Sequence, residues 1–164
     1  MRILIDGYNL IRCIPELKNA EGAGLDVGRE SLLENLAAYR IGRGHRVTIV
    51  FDGTYSLHLG GGMEKVYGIN VRFSPRGSDA DRLIRESLSK NEADVLVSAD
   101  RELTSEAVRN GVTAVSPGLF WDKGQEEIYR RLKGEEDQGE RRKTQGGRRL
   151  SKTQKRDRQR IEKL

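Results

Sequence analysis

The chain has 164 residues, a length that predicts one domain with a single hydrophobic core. No apolar run reaches the roughly 18 residues of a membrane span, and the single cysteine, Cys13, excludes an internal disulfide. The N-terminal residues lack the separate basic, apolar and cleavage regions of a signal peptide, so the sequence predicts a cytoplasmic protein.

Predicted strands and helices alternate over the first 133 residues. Short apolar or β-branched runs indicate the strands, and apolar residues at helical spacing indicate the helices between them. This alternation favours an α/β fold, in which a mostly parallel sheet carries helices on both faces. In chain order we predict a strand at 2–5, a loop through Pro15, a helix at 31–39, a strand at 46–51, a glycine-rich loop, a strand at 69–73, a helix capped by Ser78 and ending near 89, a strand at 94–98, a helix at 102–109, a strand at 112–115 and a helix at 121–132.

Aspartates follow the ends of the predicted strands. Asp6, Asp52 and Asp100 each end or follow a strand, and the strand at 69–73 leads through a short turn to Asp79 and Asp81. The carboxyl ends of parallel strands share one edge of the sheet, where such sheets bind ligands. Carboxylates gathered there repel one another, and a hard divalent cation with oxygen ligands relieves the repulsion. The pattern favours Mg²⁺ or Mn²⁺ and, without a His/Cys cluster, argues against zinc.

Each of these aspartates also has a purely structural explanation. Asp52 begins a common Asp-Gly turn, and an acid such as Asp79, Asp81 or Asp100 at a helix start is favourable by roughly 0.3–1 kcal/mol. Whether Asp79 is a metal ligand or only a helix-start acid stays open. Asn9, close to the first aspartate, adds a neutral oxygen and an amide donor that suit a metal-bound water or a phosphate.

The excess positive charge lies in the C-terminal part of the chain. Residues 134–164 contain 11 basic and 6 acidic side chains, whereas the first 133 residues contain 19 of each and are neutral. Such a segment suits a polyanion such as nucleic acid, or a solvated tail that aids solubility. We therefore expect a domain over 1–133 and a basic, flexible tail over 134–164.

Four motifs carry a family resemblance. They are IDGYNLI at 5–11, FDG at 51–53, GSDADRLI at 77–84 and VSAD at 97–100. In this order they resemble the NYN domain, and more narrowly its YacP-like group, which is related to the PIN-domain nucleases. The resemblance covers residues 1–133. It implies a doubly wound, PIN-like fold and a metal-dependent endoribonuclease, a hydrolase of messenger-RNA decay or RNA processing.

The resemblance also assigns roles to positions. Asp6, Asp81 and Asp100 match the family's acidic metal-binding positions. Asn9 matches the asparagine of the name motif, and Asp52 matches the acid after the second strand. These five residues form the predicted catalytic set. The extra aspartate two residues before Asp81 has no counterpart in the family motif and ranks below it as a ligand.

The implied chemistry is metal-assisted hydrolysis of a phosphodiester bond. One or two Mg²⁺ or Mn²⁺ ions would lower the pKa of a bound water, and the resulting hydroxide would attack the phosphorus in line. The products would carry a 5′-phosphate and a 3′-hydroxyl. RNA as substrate, whether messenger, ribosomal or transfer RNA, is implied by the resemblance alone. The sequence leaves open whether the ribosome is a docking platform, and no membrane or organic cofactor is expected.

Substrate contacts are predicted beside the acidic motifs. Arg76, in a Pro/Gly turn, is the first candidate for a phosphate contact. Arg82 and Arg101 could bind phosphate or pair with the acids. Tyr8 could stack on a base or pack beside the sheet.

Other protein classes fit the sequence less well. A haloacid-dehalogenase phosphatase needs a second aspartate two residues after the first, where Tyr8 stands, and a response-regulator receiver pairs two acids after its first strand. A Rossmann dinucleotide site requires Gly-x-Gly-x-x-Gly at that place. The alternative that stays open is a non-catalytic RNA- or ribosome-binding protein that acts through its basic tail.

Overall fold

The structure, a computed structural model, describes residues 1–53, 62–75, 78–133 and 151–164. The strands are β1 (Arg2–Asp6), β2 (Arg46–Phe51), β3 (Gly62–Val66), β4 (Ile69–Phe73), β5 (Val95–Val97) and β6 (Thr113–Val115). The helices are α1 (Gly7–Cys13), α2 (Pro15–Ala23), α3 (Leu25–Arg43), α4 (Ala80–Ser89), α5 (Arg101–Arg109), α6 (Pro117–Leu132) and α7 (Lys152–Glu162).

The strands form one sheet in the order β3-β4-β2-β1-β5-β6. All neighbouring strands run parallel except β3, which pairs antiparallel with β4 at the edge. On one face Ile5 and Ile49 pack against α1, α2, α3 and α6, and on the other Leu4 and Leu96 pack against α4 and α5. The predicted α/β class, a mostly parallel sheet with helices on both faces, is therefore confirmed.

The strand order creates a switch point at the centre of the sheet. From β1 the chain crosses to β2 on one side, and it later returns to β5 on the other side. In open α/β sheets ligands bind outside the carboxyl ends of the strands at such a point. Asp6 ends β1, and Asp100 follows β5 by three residues. The topology thus places two of the predicted acids where a ligand site is expected.

The region between the first two strands is more helical than predicted. Instead of a loop followed by a helix at 31–39, it contains α1, α2 and a long α3 that begins at Leu25. Asp6 caps α1 by accepting from the Asn9 backbone N–H, and Pro15 occupies the first turn of α2, where its missing N–H costs nothing. Burial of Leu10 and Leu17 stabilises helices whose glycines weaken their intrinsic propensity.

Three further features of the helices and strands differ from the prediction. The strand β3 lies in the segment predicted as a glycine-rich loop, because its exposed residues lack the apolar alternation of a half-buried strand. The helix α4 is capped by Asp79 rather than Ser78, since the Asp79 carboxylate accepts from the Arg82 N–H at 3.0 Å. The helix α6 begins at Pro117, four residues early, after a Ser116 cap.

The described C-terminal residues, 151–164, pack against the domain. Residues 134–150 lie outside the described part of the chain, but α7 packs beside β6. Leu164 is 2% exposed within the main core, and Arg160 donates to the Asp94 and Gly111 carbonyl oxygens. Residues 151–164 therefore differ from the flexible tail that we expected, while the division of the chain near 133 stays a prediction. Within the described ranges, no helix has the length and apolar character needed to cross a bilayer.

Candidate active site

Asp6 is the most buried acid at the carboxyl edge of the sheet. It lies at the end of the central strand β1 and is 9% exposed. Its Oδ2 accepts from the Ser98 hydroxyl at 3.1 Å, and its Oδ1 accepts from the Asn9 backbone N–H at 3.4 Å. These two donors fix the orientation of the carboxylate.

The surroundings of Asp6 disfavour its negative charge. Burial is the largest cause, and it raises the pKa of Asp6 from 3.8 to about 6. The hydrogen bonds from Ser98 and Asn9 act in the opposite direction, while the negative charges of Asp81 and Asp100 raise the pKa further. A bound cation would remove this penalty, because it stabilises the ionised form of every nearby carboxylate.

Asp100 is joined to Asp6 through Ser98. The Ser98 hydroxyl oxygen accepts from the Asp100 backbone N–H at 3.0 Å while donating to Asp6. The Asp100 carboxylate caps α5, where its Oδ1 accepts from the backbone N–H groups of Glu102 and Leu103 at 2.8 and 2.9 Å. One oxygen of Asp100 is thus used by the helix cap.

Asp81 lies in the first turn of α4 and is half-buried. Burial raises its pKa, and the charges of Asp79 and Asp100 raise it further. Arg85, one helical turn later, lowers it, but this guanidinium also pairs with Glu106 and with Glu102. The two strand-end acids and Asp81 therefore influence one another across three separate elements.

Asn9 holds the segment that carries Asp100. Its side-chain Oδ1 accepts from the Ala99 backbone N–H at 2.8 Å, which ties α1 to the end of β5. This contact makes Asn9 a positioning residue in the structure. Its predicted role beside a metal-bound water or a phosphate stays a prediction.

The remaining candidate acids occupy the same edge in different settings. Asp52 follows β2, the neighbour of β1, and is half-buried. The turn after it is fixed because Gly53 packs so closely on Ser74 that a Cβ would lie 1.9 Å from the Ser74 carbonyl oxygen. Asp79 is exposed and caps α4, as expected for a helix-start acid; its predicted role as a ligand stays a prediction.

The donor set suits a hard cation, although the side chains are not gathered around one point. Among the residues that the structure describes, no three Asp, Glu, His or Cys side chains form a ready metal-binding group. The candidate ligands at this edge are carboxylate oxygens, which Mg²⁺ and Mn²⁺ prefer. The carboxylates of Asp6, Asp81 and Asp100 would therefore have to come closer together to share an ion.

The predicted substrate contacts are only partly described. Arg76 lies outside the described residues, whereas Arg82 and Arg101 are exposed in the first turns of α4 and α5. Tyr8 is 6% exposed, its ring meets Phe51 edge-on at 5.1 Å, and its hydroxyl accepts from the Arg29 guanidinium at 3.0 Å. These contacts show Tyr8 packed beside the sheet, which is one of the two alternatives that the sequence left open.

Two residues of the site received no role from the sequence. Ser98 lies in the VSAD motif, and its hydroxyl, two residues before a strand-end acid, is the feature of the sequence that could have identified it. Arg85 lies four residues after Asp81, a spacing that puts the two side chains on the same helix face. Both roles depend on contacts between separate elements, which a single motif does not reveal.

Comparison with known proteins decides the family. Residues 3–163 match the family described as the YacP-like NYN domain. The chain belongs to the YacP-like NYN family. The match extends into α7, in agreement with the packing of that helix on the domain.

Relatives from Bacillus subtilis support this membership. The chain is 33% identical over 87 residues to a protein of strain 168 named "Uncharacterized protein YacP", and the alignment spans 51% of this chain and about half, 49%, of that relative. A crystal structure of a single-substitution variant of Rae1 (YacP) superposes with a TM-score of 0.66, at 22% identity over 82% of this chain and 79% of the other. A second Rae1 (YacP) structure gives 0.59 at 21% identity, over 82% and 80%. These structures show that the NYN fold is shared.

Proposed function

We propose that this YacP-like NYN protein is an endoribonuclease that hydrolyses RNA phosphodiester bonds with Mg²⁺ or Mn²⁺ at Asp6, Asp81 and Asp100. The observation that carries the proposal is the buried Asp6 carboxylate, whose pKa is raised by burial and by two neighbouring acids. Such an arrangement costs stability, and strongly perturbed acids concentrate at functional sites. Membership of a family related to PIN-domain nucleases supports RNA cleavage.

The residues of the chain would bind and orient, while the ion would supply the Lewis acidity. When bound, a divalent cation lowers the pKa of water and neutralises charge on phosphoryl oxygens. Ser98 would hold the Asp6 carboxylate and the Asp100 backbone in a fixed relation. Asn9 would hold the loop before Asp100 through its contact with Ala99. We propose Asp52 as a further acid that assists at the same edge.

Phosphate binding at this edge would depend on the bound cation and on two nearby guanidinium groups. The dipoles at the N-terminal ends of α4 and α5 favour negative groups, and the carboxylates of Asp79 and Asp100 already accept from the first N–H groups there. Arg82 and Arg101 are exposed in these first turns, so their guanidinium groups are available to phosphates on either side of the cleaved bond. We propose messenger, ribosomal or transfer RNA as the substrate class, and products with a 5′-phosphate and a 3′-hydroxyl.

The non-catalytic alternative relies on a basic tail that is free to bind RNA. In the described part of that segment, several cations contact groups of the chain itself. Arg160 binds backbone carbonyls of the domain, and Arg158 pairs with Glu162 at 2.8 Å. These contacts favour a structural contribution of α7 and give the alternative less support than the acidic site gives the nuclease.

Cleavage of labelled RNA by the full chain tests the proposal. Single-stranded and structured RNA would be incubated with wild type, Asp6→Asn and, as a matched control, Asp122→Asn, in which an exposed acid of α6 is changed. We expect cutting in Mg²⁺ or Mn²⁺ but not in EDTA, a loss of at least about a hundredfold in Asp6→Asn, and no change in the control. Cutting that persists in EDTA or in Asp6→Asn would contradict the proposal.

A further inference from the structure

A basic cavity lies at the opposite edge of the sheet from Asp6. It has a volume of about 420 Å³ and is lined by Arg40, His45, Arg46, Lys65 and Asn70. Arg40 lies near the end of α3, and His45 lies in the turn that follows. Arg46 begins β2, Asn70 lies near the start of β4, and Lys65 lies near the end of the antiparallel strand β3, so these residues meet at the amino edge of the sheet. We call this site the basic cavity.

The cations of the basic cavity have no acidic partners in the described part of the chain. No ion pair there includes Arg40, Arg46 or Lys65. On the neighbouring strand, by contrast, Arg2 binds Asp94 at 2.9 Å. Three positive side chains around one cavity repel one another, and a bound anion would relieve that repulsion.

Arg40 is held in the cavity by packing. Its Nε is buried and has no hydrogen-bond partner in the structure. Its guanidinium lies against the turn between β3 and β4, where a Cβ on Gly68 would come within 2.3 Å of Nη1. Gly68 also has a φ of +80°, a conformation that favours glycine. The turn therefore makes room for a guanidinium that is fixed in place yet not neutralised.

The basic cavity continues into a groove on one face of the sheet. A second cavity of about 270 Å³ shares Arg46 and Asn70 with it and adds Thr48 and Arg72, together with Glu92, which lies 3.8 Å from the Arg72 guanidinium. The strand register places these side chains on the same face, because Thr48 pairs with Asn70 and alternate residues share a face. The helices α4 and α5 cover the part of this face around Leu4, which leaves the part over β3 and β4 open.

This face is also the face of Asp6. Arg2, Leu4 and Asp6 alternate along β1, and Arg2 pairs with Arg46 in the neighbouring strand. The four residue-to-residue steps from Arg2 to Asp6 span about 13 Å. The basic cavity and the acidic edge therefore lie at opposite ends of one face, and because α4 and α5 cover Leu4 between them, the open path from one to the other runs over β3 and β4.

We propose that the basic cavity binds a backbone phosphate of an RNA strand that runs along this groove. The inference rests on the proposed function, because it takes RNA as the substrate and adds a second contact remote from the cleaved bond. Arg40 and Arg46 provide forked donors that match phosphate geometry, Lys65 adds a point charge, and Asn70 adds an amide. His45, whose ring is buried against Tyr39, is the one aromatic residue among the described residues that line the cavity, so we expect binding there to be independent of base sequence.

Salt-dependent RNA binding tests this inference. Binding of a labelled polyuridylate strand would be measured at several KCl concentrations in EDTA, with Asp6→Asn in every protein so that cleavage plays no part. The test variant is Arg46→Gln/Lys65→Gln, since both side chains are exposed and their loss leaves the core intact. The matched control is Lys18→Gln/Lys133→Gln, which removes the same charge from exposed positions elsewhere.

We expect the test variant to bind RNA roughly tenfold more weakly than the control. The slope of log affinity against log salt should fall by about 0.7, the value for one phosphate contact on a single strand. Equal affinity and slope in the two variants would overturn the inference. So would calorimetric binding of inorganic phosphate that requires Arg46 and Lys65 while RNA affinity does not, because the cavity would then serve a small anion.

Different experimental outcomes would contradict the inference and the proposed function. If wild type cleaves RNA and the test variant binds as tightly as the control, the basic cavity plays no part and the nuclease proposal stands. If the test variant loses affinity and wild type cuts no RNA, the cavity is an RNA contact of a protein that does not cleave. Circular dichroism of all variants establishes that each one is folded.

Discussion

The proposed chemistry depends on Asp6, and burial in the folded protein disfavours the ionised form of this side chain. The pKa of Asp6 is about 6 in the folded protein, above the 3.8 of an exposed aspartate, so the folded state keeps a proton that the unfolded chain loses. Stability should therefore fall as the pH rises from about 4 to about 6 and stay lower above that range. The difference in pKa corresponds to about 3 kcal/mol.

Comparing Asp6→Asn with wild type isolates this effect. Because asparagine carries no charge, we expect Asp6→Asn to be more stable by about 3 kcal/mol at pH 7.5 in EDTA and nearly equal to wild type at pH 4. Urea denaturation at both pH values measures the difference. Asp94, whose pKa is lowered by its bond to Arg2, has the opposite pH dependence but is common to both proteins. A pH-independent difference would show that burial does not penalise the Asp6 charge.

The two aspartates at the start of α4 should respond differently to the same substitution. Asp79 caps the helix, a role that asparagine fulfils equally well, so Asp79→Asn should keep stability within about 0.5 kcal/mol and cleavage within about twofold. Asp81→Asn should reduce cleavage at least about a hundredfold, as expected for the loss of a metal ligand. Parallel cleavage assays of the two variants measure both effects. Equal losses would make Asp79 a ligand as well.

At the scale of elements, α7 and the residues after it pack on the domain. Leu164 is 2% exposed within the main core, so Leu164→Ala should destabilise the protein by about 2–5 kcal/mol. Leu132→Ala is the matched control, because Leu132 is 82% exposed and its loss should cost at most about 0.5 kcal/mol. Urea denaturation of both variants measures the difference. Similar small effects would mean that the C-terminal residues do not pack on the core in solution.

The elements that the sequence predicted are those with a strong local pattern. The strands β1, β2 and β4 were recognised because their residues are apolar or β-branched and bounded by turn residues. The strand β3 and the helix α2 are among the elements that the sequence did not predict, since β3 is exposed and α2 has few apolar residues. The strand β3 is formed by antiparallel pairing with β4, and α2 is stabilised by packing on α3, so neither element is marked by the pattern of its own residues.

The same limit applies to the sites. The acids at the carboxyl edge were predicted because the parallel topology fixes where strand ends meet. The contact from Asn9 to Ala99 joins residues 90 positions apart, and the basic cavity combines α3 with three strands. Such juxtapositions follow from the assembled sheet and not from any motif.

For the molecule as a whole, a cation at the acidic edge should stabilise the entire fold. Binding to the folded state alone adds about 1.4 kcal/mol at ten times the dissociation constant. We therefore expect Mg²⁺ to raise the melting temperature of wild type and of Asp122→Asn but not that of Asp6→Asn. Choline chloride at matched ionic strength controls for screening. An equal rise in all three proteins would place the stabilising ion somewhere other than Asp6.

The measurement that tests the central claim most directly follows metal binding and cleavage in the same samples. Mn²⁺ would be titrated into wild type, Asp6→Asn and Asp122→Asn, with bound ion followed by electron paramagnetic resonance and RNA cutting followed on gels. We predict that cutting rises in step with bound Mn²⁺ in wild type and the control, and that Asp6→Asn loses both. Cutting that proceeds without bound ion, or full Mn²⁺ binding by Asp6→Asn, would contradict the account.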